Sequence, residues 1–129
     1  MAKPTGFLKF SRQTPPKRPV SERIRGFHEI EFALSPADIQ QQAARCMDCG
    51  VPFRHTCGCP LANRIPEFND LLYRGRWQHG LDILHAANNF SEITGRVCPA
   101  LCDAACTLSI NGEPVLIRHI ELQRRLFRI

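Results

Sequence analysis

Apolar residues recur at helical spacing in several short stretches of the chain, and residues that start or stop helices separate these stretches. Ser35 is followed by Pro36 and Asp38. This order favours a helix start, because serine caps free N–H groups, proline suits the first turn and aspartate complements the helix dipole. Gly50 then stops this helix beyond Cys46. The same signals predict further helices from Pro66 to Gly75, over 76–87, over 98–108 and over 118–127, with a short extended piece at 115–117.

Residues 1–34 break the helical pattern and predict an extended arm. Its prolines disfavour helix and favour polyproline II; they are Pro4, Pro15, Pro16 and Pro19. Large apolar residues such as Phe7, Ile24 and Phe27 would be costly to leave in water, so we expect the arm to lie over a neighbouring surface. The expected organisation is an arm over 1–34 followed by a mostly α-helical domain over 35–129.

The cysteines fall in two short stretches. The chain has seven: Cys46, Cys49, Cys57 and Cys59 in the first stretch, and Cys98, Cys102 and Cys106 in the second. Clustered thiolates at short, regular spacing are typical of a soft-metal site, either zinc or iron–sulfur. Proline directly follows Cys59 and Cys98, which is common in ferredoxin-type sites and favours iron–sulfur. The alternative is zinc, which would use the same residues without redox chemistry.

The second cysteine stretch bears on the number of sites. If residues 98–108 form a helix, Cys98, Cys102 and Cys106 point in roughly the same direction, since each step of four residues turns only about 40° away from one face. The same helix would rise about 12 Å between Cys98 and Cys106, which is too far for one cluster. This interpretation predicts two neighbouring four-ligand sites, made from the seven cysteines and one other ligand.

Composition narrows the class of protein. A chain of 129 residues with 43% hydrophobic residues fits one small domain that a metal or cluster would help to stabilise. No apolar run is long enough for a membrane span, and the first residues lack the apolar core of a signal peptide. We therefore expect a cytoplasmic protein with reduced thiols rather than disulfides. The net charge is +5, but the basic residues are not interleaved with the aromatic side chains that stack on bases. A protein partner is therefore favoured over nucleic acid.

Three stretches that contain or flank these cysteines carry a family resemblance. Residues 44–53, 59–77 and 88–99 resemble the N-terminal iron–sulfur domain of the glutamate synthase small (beta) subunit, a module also found in dihydropyrimidine dehydrogenase. The resemblance implies a mostly helical, α-helical ferredoxin-like fold with two [4Fe-4S] clusters. It also implies that electrons pass from NADPH through FAD and the clusters to FMN on a large subunit, where glutamate is made.

The resemblance further implies a set of ligands. The first cluster would take Cys46, Cys49, a third cysteine and Cys106. The second cluster would take Cys59, Cys98, Cys102 and a side chain of the last helix that best matches Glu121.

One departure from the family affects the first cluster. The family has a cysteine where this chain has Arg54, and Cys57 follows three residues later in a longer loop. Either Cys57 substitutes as the third ligand, which we expect, or the first cluster is absent and Cys57 is a free thiol.

A second departure concerns the flavin region. The chain contains no Gly-x-Gly-x-x-Gly sequence, so we expect no dinucleotide fold and no NADPH oxidation by this polypeptide alone. FAD and FMN would then belong to a partner flavoprotein domain or subunit and to a glutamate-synthase-like large subunit. The arm and the basic last helix are the candidate docking surfaces.

Overall fold

The regular structure of this chain is helical. The computed structural model describes residues 3–54 and 58–123. The helices are α1 (Gly6–Lys9), α2 (Val20–Arg23), α3 (Pro36–Ala43), α4 (Val51–Arg54), α5 (Ile65–Tyr73), α6 (Trp77–His85), α7 (Ser91–Val97), α8 (Leu101–Ala105), a 3-10 helix (Thr107–Ile110) and α9 (Ile117–Leu122). Within the described part, β-type pairing is limited to one isolated antiparallel bridge, between Lys17 and Glu31. The predicted mostly α fold is confirmed. None of the described helices has the length and apolar character needed to cross a bilayer.

The predicted start of α3 and the predicted end of α5 are confirmed. Ser35 and Asp38 form a capping box: the Ser35 hydroxyl accepts the Asp38 N–H at 3.1 Å, and the Asp38 carboxylate accepts the Ser35 N–H at 3.3 Å. Gly75 follows α5 with a left-handed φ of 72°, and its N–H donates to the Leu72 carbonyl at 2.9 Å. Glycine adopts this conformation without the steric cost of a Cβ atom, so it ends the helix and lets α6 fold back on α5.

The core lies between α3, the α5–α6 pair and the segment that leads into α9. Its largest fully buried apolar side chains are Ile39, Ile65, Phe68, Leu72, Leu84, Leu116, Ile117 and Ile120. Cys46, Cys102 and Cys106 belong to the same cluster of buried residues. The helices therefore place these three thiols inside the apolar core rather than on the surface.

Two local predictions are wrong. The helix predicted over 98–108 is confined to α8, and Cys98 and Cys106 flank it with extended backbone. The physical reason for the first break is Pro99, because a residue that precedes proline is driven out of the helical region. Since the stretch is not one helix, the 12 Å rise calculated for it does not apply. The extended piece predicted at 115–117 is also wrong, because Ile117 already begins α9.

Several predicted bounds shift, and four of the described α-helices were not predicted. The third predicted helix, over 76–87, is α6. The helices α1 and α2 lie within the arm that was predicted to be extended, because its prolines interrupt the helical backbone without preventing single turns of helix between them. The helices α4 and α7 have no counterpart among the predictions either. The last four residues of the helix predicted over 118–127 lie outside the described residues.

The arm folds back on itself and is fastened to the domain. The Arg18 N–H donates to the Ile30 carbonyl at 2.8 Å, which closes a loop around α2. Gln42, in α3, donates to the Ser11 carbonyl at 3.0 Å and accepts the Gln13 N–H at 3.1 Å. Large apolar side chains of the arm nevertheless remain exposed: Leu8, Val20, Ile24, Phe27, Ile30 and Phe32. The arm therefore covers part of the domain with its backbone and directs much of its apolar surface outward.

Candidate iron–sulfur centres

Three of the four ligands predicted for the first cluster lie together. Cys46, Cys49 and Cys106 line one small, mostly apolar pocket, which Ile65 and Val115 help to close. Cys46 and Cys106 are buried and Cys49 is exposed. The pKa of the Cys46 thiol is raised to about 11, mainly by burial and in smaller part by the neighbouring Cys49 and Cys106, against the effect of a backbone hydrogen bond. Without a cation, this pocket therefore keeps Cys46 protonated; a metal centre would favour its thiolate.

Part of the predicted second ligand set also lies together, at the other end of α8. Burial is the main cause that raises the pKa of the Cys102 thiol, with further contributions from Asp103, Glu121 and Cys59. Glu121 is itself buried, and this burial raises the pKa of its carboxyl group to about 7. The Cys102 thiol thus lies close enough to both Cys59 and Glu121 to be affected by their charges.

Asn63 is a further member of this second group. Its side-chain amide donates to the Glu121 carboxylate at 3.0 Å, and its Oδ1 atom is buried with no protein hydrogen-bond partner. An unsatisfied buried oxygen is costly, and such groups cluster at functional positions. This residue was not predicted from the sequence, because its contact with Glu121 joins positions that are 58 residues apart.

The backbone near the cysteines has unusual conformations. Outside glycine, the described residues with positive φ are Asp48, Ala62 and Ala100, at 58°, 52° and 60°. Asp48 lies between Cys46 and Cys49, and Ala100 lies between Cys98 and Cys102. Left-handed backbone costs an alanine roughly 1 kcal/mol. The strain in this chain therefore falls on the turns that position thiols.

A close backbone contact fixes the position of Cys59. Its N–H donates to the Pro52 carbonyl at 2.6 Å. A Cβ atom at Gly58 would lie 2.2 Å from the same carbonyl oxygen, so only glycine fits beside it. This contact fixes the backbone at Cys59, the first predicted ligand of the second cluster.

Cys98 is half-buried and lines a groove of about 1020 Å³ between the arm and the segment from Pro99 to Asp103. The Ala100 N–H lies 3.4 Å from the Cys98 Sγ atom. Cys57 lies outside the described residues. Among the described residues, no three His, Cys, Asp or Glu side chains are close enough to hold a single metal ion.

Arg45 and Asp103 adjoin predicted ligands in the chain, Arg12 pairs with Asp103, and no local sequence pattern predicted these roles. Arg45 is buried next to Cys46 and donates to the carbonyls of Phe10, Glu113 and Pro114. These contacts cross most of the chain, so only the folded structure brings them together.

The fold and the two cysteine groups define a small helical domain of the iron–sulfur class. The chain belongs to the family described as dihydropyrimidine dehydrogenase domain II, 4Fe-4S cluster, whose model matches residues 23–125. The family membership and the buried thiols of Cys46, Cys102 and Cys106 fit an iron–sulfur cluster as the bound group.

Curated relatives of this chain are glutamate synthases. It is 53% identical to the glutamate synthase [NADPH] small chain of Mycobacterium tuberculosis over 95% of this chain and 25% of that protein. It is 46% identical to the glutamate synthase [NADPH] small chain of Bacillus subtilis over 94% of this chain and 26% of that protein. It is 45% identical to the glutamate synthase [NADH] of Saccharomyces cerevisiae over 92% of this chain and 6% of that protein. The chain thus spans about a quarter of the length of the bacterial small chains.

Proposed function

We propose that this chain is an electron-transfer module that binds two [4Fe-4S] clusters within a glutamate-synthase-like oxidoreductase. The observation that carries the proposal is that the described cysteines form more than one group around α8. Cys46, Cys49 and Cys106 line one pocket that does not include Cys102, whereas Cys102 lies in α8 within the electrostatic influence of Cys59 and Glu121. Two such groups next to one short helix suit two neighbouring clusters between which an electron can pass.

The proposed ligands follow this division. Cys46, Cys49, Cys57 and Cys106 would hold the first cluster, and Cys59, Cys98, Cys102 and Glu121 would hold the second. Iron–sulfur clusters supply one-electron transfer when bound, and burial and hydrogen bonds to their ligands set the potential. The chain's own contribution is to hold the thiolates in a mostly apolar pocket, to exclude water and to fix the spacing of the two sites.

The proposed route of electrons runs through flavins outside this chain. A flavoprotein domain or subunit would oxidise NADPH with FAD and reduce the clusters, and FMN on a glutamate-synthase-like large subunit would receive the electrons. The relatives support the NADPH end of this route, since two of them are glutamate synthase [NADPH] small chains. This chain would be active only with those partners, in the reducing cytoplasm.

The arm is the proposed docking surface for these partners. Ile24 is 78% exposed and the Phe27 side chain is fully exposed. Residues Lys17, Arg18, Arg23 and Arg25 surround these two side chains along the arm. Replacing Ile24 and Phe27 with serine should weaken association with the flavoprotein partner without loss of iron. Deleting the whole arm would be a poorer test, because Arg12 and Gln13 contact the core.

Metal analysis of the chain purified without oxygen tests the proposal. About eight iron atoms and about eight acid-labile sulfides per chain, with broad visible absorption, would support two clusters. About four iron atoms would leave one cluster and overturn the first site. Zinc without colour would overturn the redox function and favour a zinc-stabilised interaction domain.

The role of Cys57 has its own test. If Cys57 is the third ligand of the first cluster, Cys57→Ser should lower the iron content from about eight atoms to about four. Cys49→Ser is the matched comparison, because it removes a proposed ligand of the same cluster that lies within the described pocket. Full iron content in Cys57→Ser would show that another group completes the first site.

A further inference from the structure

A largely buried ion pair lies next to the thiol of Cys102. Asp103 is buried in α8, and its Oδ1 atom lies 3.8 Å from the Cys102 Sγ atom. The Asp103 Oδ2 atom pairs with the Arg12 Nη2 atom at 3.1 Å. The two side chains are 12% and 15% exposed, so water screens their charges only in part.

The surroundings hold this pair in one arrangement. The Asp103 Oδ1 atom also accepts the backbone N–H groups of Ile117 and Arg118, at 3.1 and 3.3 Å. Arg12 donates from Nη1 to the Pro114 carbonyl at 3.1 Å. Because both partners are fixed by further hydrogen bonds, the carboxylate stays nearer to Cys102 than the guanidinium does.

We propose that the Arg12–Asp103 pair sets the reduction potential of the second cluster, with Asp103 lowering it and Arg12 raising it. This inference rests on the proposed function, because it requires a cluster on Cys102. Reduction adds one electron to the cluster, and a nearby negative charge disfavours the added electron while a nearby positive charge favours it. Asp103 contacts the proposed ligand Cys102 and Arg12 contacts Asp103, so both are tuning residues that act through other groups.

The pair makes opposite predictions for its two members. Asp103→Asn removes the negative charge and keeps an oxygen that accepts the two backbone N–H groups, so the potential should rise. Arg12→Gln leaves the carboxylate without its cation, so the potential should fall. Shifts of about tenfold in the equilibrium constant of reduction, which is about 59 mV for one electron, are expected in each direction. A general loosening of the structure would instead move both variants in the same direction.

A redox titration measures these shifts. The full chain would be reconstituted without oxygen and titrated with dithionite, which is oxidised as each cluster gains one electron, while electron paramagnetic resonance follows the reduced clusters. Arg74→Gln is the matched control, because Arg74 forms its ion pair with Asp70 at 2.9 Å on the exposed side of α5. This control should leave both potentials unchanged.

The outcomes separate this inference from the proposed function. If the unmodified chain binds no cluster, the proposed function and this inference are both overturned. If it binds clusters and the two variants shift in the same direction or not at all, only this inference is overturned. If Asp103→Asn fails to fold, Arg12→Gln still decides, because a potential equal to that of the unmodified chain contradicts the proposal.

Discussion

The side-chain amide of Asn63 donates a hydrogen bond of 3.0 Å to the Glu121 carboxylate, and both side chains are buried. The contact joins the turn after Cys59 to helix α9. One hydrogen bond does not offset the burial of the carboxylate, since burial raises the pKa of Glu121 to about 7 from an ordinary value of 4.5. The apo chain therefore has a carboxyl group that is protonated when folded and ionised when unfolded, between these two pH values.

This difference predicts the pH dependence of apo stability. Between pH 4.5 and pH 7 the folded state holds a proton on Glu121 that the unfolded state has lost, so the free energy of unfolding falls as pH rises. The loss is about 3 kcal/mol across this window. Glu121→Gln cannot ionise and should remove it. Urea unfolding of both apo proteins at several pH values gives the difference, and parallel pH profiles would contradict the prediction.

The left-handed backbone of Ala100 predicts a stabilising substitution. Ala100→Gly removes the steric cost of the positive φ at 60° and should raise the free energy of unfolding by about 1 kcal/mol, less the extra entropy of the unfolded glycine. Ala104→Gly is the matched control within the adjacent helix α8, where glycine should lower stability by about 1 kcal/mol. Thermal unfolding of the apo chain should give opposite signs, and destabilisation by both would contradict this account.

The planar guanidinium of Arg45 makes three hydrogen bonds, so we predict that lysine at this position lowers the free energy of unfolding. Its three nitrogens donate to three carbonyls, those of Phe10, Pro114 and Glu113, at 3.0, 2.8 and 2.8 Å. A lysine ammonium cannot reach all three in this planar arrangement, so Arg45→Lys leaves at least one of these partly buried carbonyls without its Arg45 donor. We expect a loss of about 2–3 kcal/mol in urea unfolding. Arg76→Lys on the exposed surface is the control, and equal stability of the two variants would refute the prediction.

The close contact between α7 and α9 predicts that a larger residue at Gly95 lowers stability. A Cβ atom at Gly95 would lie 2.7 Å from the Leu122 Cβ atom and 2.9 Å from its Cα atom. Backbone must move to make room, so Gly95→Ala should lower the free energy of unfolding by about 1–3 kcal/mol. Gly112→Ala is the control, since the nearest atom to its added Cβ is 3.7 Å away. Equal melting temperatures for the two variants would show that α7 and α9 accommodate the added methyl group without a loss of stability.

Local signals predicted the helices better than they predicted the site. Ser35 caps a helix with its own side chain, and Gly75 ends one with its own left-handed backbone. The start of α3 and the end of α5 could therefore be inferred from the sequence. The helix predicted over 98–108 failed although a warning was present, because Pro99 excludes Cys98 from a helix. The cysteine spacing predicted a metal site but could not show which thiols share a pocket.

The residues around the site that are not ligands could not be predicted from local sequence patterns. Asp103 contacts Arg12 across 91 positions, and Asn63 contacts Glu121 across 58. No periodicity or short motif encodes such pairs, since each side chain alone resembles an ordinary polar residue. They are properties of the tertiary fold, and for this reason Glu121 could be proposed as a ligand only by resemblance, and its partner Asn63 was not predicted.

The contacts of Arg12 also order events during biosynthesis. Asp103 and Pro114 follow Arg12 by 91 and 102 positions, so both of its partners leave the ribosome long after the arm does. Contacts between distant positions form late, because the intervening chain must first be brought together. The nascent arm, with its exposed Ile24 and Phe27, therefore lacks its Arg12 contacts until residues 103–114 have been made. A chaperone that binds apolar segments has its best opportunity on this protein during that interval.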